Sequence, residues 1–103
     1  MNEELLSNSL QLLKLDLGIT HDLRDTYFTN ILKTSNMELS KMGVDLSKST
    51  VEDMQLIVDY AVWNYRKRQE DVGLSRNLKF RIHNRVIQKA GATKNAVTET
   101  IHR

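Results

Sequence analysis

The stretch STVEDMQLIVDYAVWNYRKRQEDVG, residues 49–73, decides how this chain folds. Ser49 followed three residues later by Glu52 is the spelling of a capping box, in which a hydroxyl and a carboxylate each satisfy an orphan N–H at a helix start. Asp53 adds negative charge where the helix dipole is positive, and Arg66, Lys67 and Arg68 add positive charge near the other end. Gly73 predicts the stop. Between these ends Met54, Ile57, Val58, Ala61 and Tyr65 share one face, and Leu56, Tyr60 and Trp63 share a second. A helix apolar on two sides has to be wrapped, by other elements of its own chain, by neighbouring subunits, or by both. The pattern therefore predicts a central buried helix over about residues 50–72.

Working outward, residues 2–15 read as a first helix, with Leu6, Leu10, Leu13 and Leu17 recurring at spacings of four, three and four until Gly18 breaks the pattern. Thr20 is a candidate N-cap for a second helix over residues 21–42, with Asp22 and Asp25 as first-turn acids and Leu23, Tyr27, Ile31 and Leu32 facing inward. Leu39 and Met42 extend that face. Thr34, Ser35 and Asn36 predict a weak point or bend, because short polar side chains compete for backbone hydrogen bonds. Gly43 ends the helix, and Val44 and Leu46 are apolar enough to tuck back from the loop that follows. After the central helix, Ser75 caps a fourth, whose apolar row is Leu78, Ile82 and Val86, with Phe80 and Ile87 adding bulk on another side; Gly91 closes it. The reading is all-α: a small four-helix bundle, one domain over residues 1–90, and a flexible C-terminal tail over residues 91–103, whose small polar composition offers little to a core.

Composition narrows the function. The chain has 103 residues, 40% hydrophobic and 27% charged, which suits one small soluble domain with one core. It has no cysteine, so no disulfide framework, thiolate metal site or cysteine nucleophile, and no proline, in keeping with a helical chain. The acidic start, Met1-Asn2-Glu3-Glu4, is followed by no long apolar run, so neither a signal peptide nor a membrane span is expected. His21, His83 and His102 lack the spacing of a helical metal pair, and no Gly-rich phosphate loop is present. No enzyme, cofactor or metal site is expected. The net charge of +2 is uneven: residues 1–49 carry five bases and seven acids, and residues 50–103 carry ten bases and six acids. Such polarity can orient a protein in an assembly or bring it near nucleic acid.

Two groups of residues carry candidate contacts. Leu56, Tyr60 and Trp63 form the second face of the central helix, a candidate subunit interface because aromatics are enriched at such contacts; Val97 and Ile101, four apart in the tail, could anchor on a partner. Arg81, Arg85 and Lys89 form a row on the last helix, read either as a solvated face or as contacts to DNA phosphates or an acidic partner.

The pattern as a whole resembles the bacteriophage head–tail connector, or head-completion adaptor, family. The likeness runs from Leu12-Leu13-Lys14-Leu15-Asp16-Leu17-Gly18-Ile19, through His21-Asp22-Leu23-Arg24-Asp25 and onward to Gly43, to Ala61-Val62-Trp63-Asn64-Tyr65-Arg66 leading into Arg68-Gln69-Glu70-Asp71. In the last helix the family usually begins with Pro, which this chain lacks. The resemblance implies a structural virion protein at the head–tail interface, present in the host cytoplasm before assembly. It implies a ring of about a dozen subunits under the portal, a closed cyclic assembly. Such a ring extends the DNA channel, passes double-stranded DNA without sequence specificity, and receives the next head-completion or tail protein. The competing readings are a small helical DNA-binding protein that uses the basic C-terminal half, and a subunit of a cytosolic complex.

Overall fold

The computed structural model describes residues 2–48, 50–68 and 73–98, with side chains described as far as Ala90. Its elements are four helices: α1 (Glu3–Leu17), α2 (Asp25–Lys41), α3 (Val51–Lys67) and α4 (Arg76–Thr98). The protein is all-α, as its periodicities predict.

Local chemistry sets the helix ends. Asn2 caps α1, its Oδ1 accepting from the Leu5 N–H at 2.7 Å. At the other end Gly18 takes a left-handed φ of 74°, and the N–H groups of Gly18 and Ile19 donate back to Leu15 and Lys14, a Schellman stop. Helix α2 ends the same way: Gly43 has φ 100°, and the N–H groups of Gly43 and Val44 donate to Ser40 and Leu39. The capping box of α3 is one residue later than the Ser49–Glu52 spelling suggests. Thr50 Oγ1 accepts from the Asp53 N–H at 3.1 Å, and Asp53 Oδ2 accepts from the Thr50 N–H at 3.2 Å. Ser49 lies outside the described residues. Ser75 Oγ caps α4, accepting from Leu78 N–H at 3.1 Å.

Several expectations need correction. Helix α3 ends at Lys67 with Arg68 as its C-cap, short of the expected stop at Gly73 and of the 50–72 span. The α2 helix starts at Asp25, not at residue 21; its N-cap is Arg24, with no side-chain cap bond, and the segment before it is turn. Leu23 falls in that turn and is 89% exposed, and Met42, past the helix end, is exposed too. Helix α2 is nonetheless continuous through Thr34-Ser35-Asn36; there Ser35 Oγ is buried and donates to the Ile31 carbonyl at 2.7 Å. Finally, α4 runs through Gly91 to Thr98. One glycine costs a helix only about 1 kcal/mol, too little to force a stop on its own. Residues 99–103 of the expected tail lie outside the described residues.

Helix α3 is the axis of the bundle, packing against each of the other three; α1 also packs on α2, while α4 leans chiefly on α3. The N-terminal turns of α1 and α3 sit side by side, so these helices run parallel. The start of α4 lies along the C-terminal half of α3, so that pair is antiparallel. The core gathers Leu13 from α1, Phe28, Ile31, Leu32 and Leu39 from α2, Val44 and Leu46 from the loop, Leu56, Ile57, Val58 and Ala61 from α3, and Leu78 and Ile82 from α4. Fully burying each of the large aliphatic side chains contributes about 1.5–3 kcal/mol. The loop between α2 and α3 is thus part of the core, as its two apolar residues predict.

Candidate assembly surface

The cationic row of α4 is turned toward its own chain. Arg81 Nη1 donates to Asp59 of α3 at 2.6 Å. Arg85 pairs with the buried Asp53 and donates to the Asp45 carbonyl at 2.8 Å. Only Lys89 keeps an exposed charge, near Asp45 and Lys48. Asp45 is held below the usual carboxylate range, first by hydrogen bonds from Ser47 and then by the charges of Lys89 and Lys48. Two of the three cations read as candidates for DNA or an acidic partner are therefore already engaged with α3 and the loop before it.

The second face of α3 is divided. Leu56 and Tyr60 are 2% and 5% exposed, core residues of the single chain. The Tyr60 hydroxyl is pushed up to about 12 by burial, then by the charge and hydrogen bond of Glu38. Glu38 also accepts from Asn64 Nδ2 at 3.0 Å, and Asn64 reaches Ser35 Oγ at the same distance, so a polar network ties α2 to α3. Trp63 is half-buried, 5.2 Å from the Tyr60 ring, with Lys67 Nζ 4.3 Å above it. It borders an open depression of about 400 Å³ shared with Asp59, Val62, Arg66, Leu78 and Arg81. The side chain of Val97 and the whole of Ile101 lie outside the described residues.

At the far end, Phe28 and Tyr65 pack ring to ring at 5.8 Å under Tyr27, and Arg24 lies 4.5 Å over the Tyr27 ring. Beside this cluster Lys14 is buried, with Nζ 2.6 Å from Asp22 and 2.8 Å from Asp25. Because α2 begins at Asp25, Asp22 is not a first-turn acid as expected but lies in the turn before the helix; both acids are partners of the Lys14 ammonium, a pairing that residue spacing did not disclose.

What α4 leaves outside is a surface that periodicity marks only indirectly. Its inner row, Leu78, Ile82 and Val86, meets α3 and the Gly43 turn. Phe80 and Ile87, seven apart and on another side, are 62% and 53% exposed. The signal is two large apolar residues out of phase with the buried row. Leu15, at the end of α1, is 76% exposed, and Leu23, in the turn before α2, is 89% exposed.

Among the described residues no cluster of His, Asp or Glu could hold a metal ion, and no helix is long and apolar enough to cross a membrane. His21 and His83 are exposed on different elements; His102 lies outside the described residues. No known protein family, curated protein or solved structure matches the chain.

Proposed function

We propose that this chain is a structural virion protein, a head–tail connector that forms a ring on the phage portal. The ring extends the DNA channel and links the filled head to the next head-completion or tail protein. The observation that carries this reading is the outer side of α4. A helix that completes a monomer turns a polar face to water; α4 keeps Phe80 and Ile87 there, after its aliphatic row has already been used on α3. Phe80 and Ile87 lie two turns apart on one side of α4, so one partner surface laid along the helix would remove both from water. The motif around Trp63 and Tyr65 adds the resemblance to connector proteins. The reading assigns no catalytic residue; DNA passes the ring without base-specific contact. The DNA-binding alternative has less support, because Arg81 and Arg85 are committed to Asp59 and Asp53.

Electron microscopy of the protein mixed with its portal tests the proposal. A ring of density coaxial with the portal is the expected result, and truncation after Ala90, which removes Val97 and Ile101, is expected to weaken attachment. Portals that remain bare at saturating protein would overturn it. Steep, salt-dependent binding of the isolated protein to duplex DNA would favour the alternative.

A further inference from the structure

We infer that the outer side of α4 is the seat of an amphipathic helix from a different protein, one that sets acidic residues beside Arg76 and Lys79. The inference names the chemistry of the partner for this surface, and rests on the connector reading for that partner's place in the virion.

The register of α4 sets the shape of the seat. Arg76, Phe80, His83 and Ile87 follow one another at steps of four, three and four, the spacing that keeps side chains in line along a helix. All four are exposed, Phe80 and Ile87 by 62% and 53%. Beside this seam, Asn84 lines an open groove of about 250 Å³ with Val51, Gln55 and Leu56 of α3. Val51 is 69% exposed and adds a third large apolar side chain across that groove. A straight seam with a groove alongside matches a helix, which offers anchors at the same steps of three and four. A strand alternates its side chains with a period of two and does not keep that line.

Charge selects which helix. From Arg76 to Ala90, α4 carries five Lys or Arg residues and no acid. Arg81 and Arg85 are paired with Asp59 and Asp53. Arg76 and Lys79 are exposed and, among the described residues, have no ion-pair partner. Glu52, the acid that borders the groove, lies with Arg85 and Lys89 toward the other end of the seam. An acid opposite Arg76 and Lys79 therefore meets uncompensated positive charge, whereas a base there meets its like. The α4 of a second copy has no acid to offer, so the fit is to a helix of another sequence.

Designed peptides test this on the full chain. One is an Ala-based amphipathic helix with Leu at steps of three and four and Glu flanking them. The second replaces each Glu with Lys, and the third replaces each Leu with Gln. Amide shifts in two-dimensional NMR report where each peptide binds. The expected result is shifts along Arg76–Ala90 with the Glu peptide, binding several-fold weaker for the Lys peptide, and none for the Gln peptide. Phe80→Ser should abolish binding and leave the fold intact, because the side chain is exposed. Arg76→Glu combined with Lys79→Glu should reverse the preference between the two charged peptides. Equal binding of those peptides, no binding at millimolar peptide, or shifts centred away from α4 would each overturn the inference. Self-association in sedimentation that Phe80→Ser abolishes would overturn it in favour of a second copy, and flotation with phosphatidylserine vesicles that the same variant prevents would overturn it in favour of a lipid surface. Portal binding is scored separately. Ringed portals without peptide binding reject this inference alone, whereas peptide binding with bare portals rejects the connector reading alone.

Discussion

Arg85 holds its guanidinium between the Asp53 carboxylate and the Asp45 carbonyl, joining α4 to the first turn of α3 and to the loop before it. Asp53 meanwhile uses its other carboxylate oxygen to cap α3 through the Thr50 N–H. One buried carboxylate thus closes a helix end and anchors a second helix. Asp53→Ala should cost about 2–4 kcal/mol, the loss of a cap plus an arginine left without its partner. Arg85→Met should cost about 1–3 kcal/mol, because a buried acceptor loses its donor. The double variant should cost less than the sum of the two, read as urea midpoints; strict additivity would show that the two side chains do not depend on each other.

Ala61 is fully buried on α3, with Ile57, Val58 and Tyr65 on the same side. Ala61→Leu adds three carbons where the neighbouring helices leave no space and should cost about 1–3 kcal/mol. An unchanged urea midpoint would mean that the helices can separate there without penalty.

The Lys14 pair sets a stability plateau in pH. Hydrogen bonds to Asp22 and then Asp25 raise the Lys14 ammonium above its ordinary 10.5, and the bond from Lys14 lowers Asp22 below its ordinary 3.8. For Asp22 the contribution is complete above the unfolded value and is lost as pH falls through the lower folded one. For Lys14 it is complete below 10.5 and is lost as pH rises through the higher folded value. Thermal midpoints should therefore drop on the acid side below 3.8 and on the alkaline side above 10.5. Lys14→Met should remove this pair's share of both slopes while lowering the plateau. A Lys14→Met curve parallel to the parent at every pH would refute the pairing.

Tyr60 should ionise late. With its hydroxyl pushed up to about 12, its folded value lies above the unfolded 10, so its contribution is whole below pH 10 and is lost as pH climbs toward 12. Spectrophotometric titration should show a late component that Tyr60→Phe removes; its persistence in the variant would refute the assignment to Tyr60.

The parts of this fold that sequence discloses are those set by neighbours in the chain. Gly18 and Gly43 announce helix ends because left-handed turns need them, Ser75 announces a cap, and Leu78, Ile82 and Val86 announce a buried row by their spacing alone. The axial place of α3 follows from its two apolar sides. Where two local spellings overlap, as Ser49–Glu52 and Thr50–Asp53 do, local rules cannot choose; Arg85, thirty-two residues beyond Asp53, favours the second. Leu23 faces inward only on a helix that begins at residue 21; with α2 beginning at Asp25 it lies in the preceding turn. The candidate surface was half legible: Phe80 and Ile87 stood out of phase with the buried row, but that Arg81 and Arg85 face α3 depends on Asp59 and Asp53 arriving opposite them.

The dependence of α4 on α3 has a consequence for how the protein comes apart. Helices α1, α2 and α3 pack on one another, whereas α4 leans chiefly on α3. The last helix is therefore expected to open first, baring Asp53 and Asp59 on α3, and its amides should exchange faster than those of α3; equal protection in the two helices would refute this.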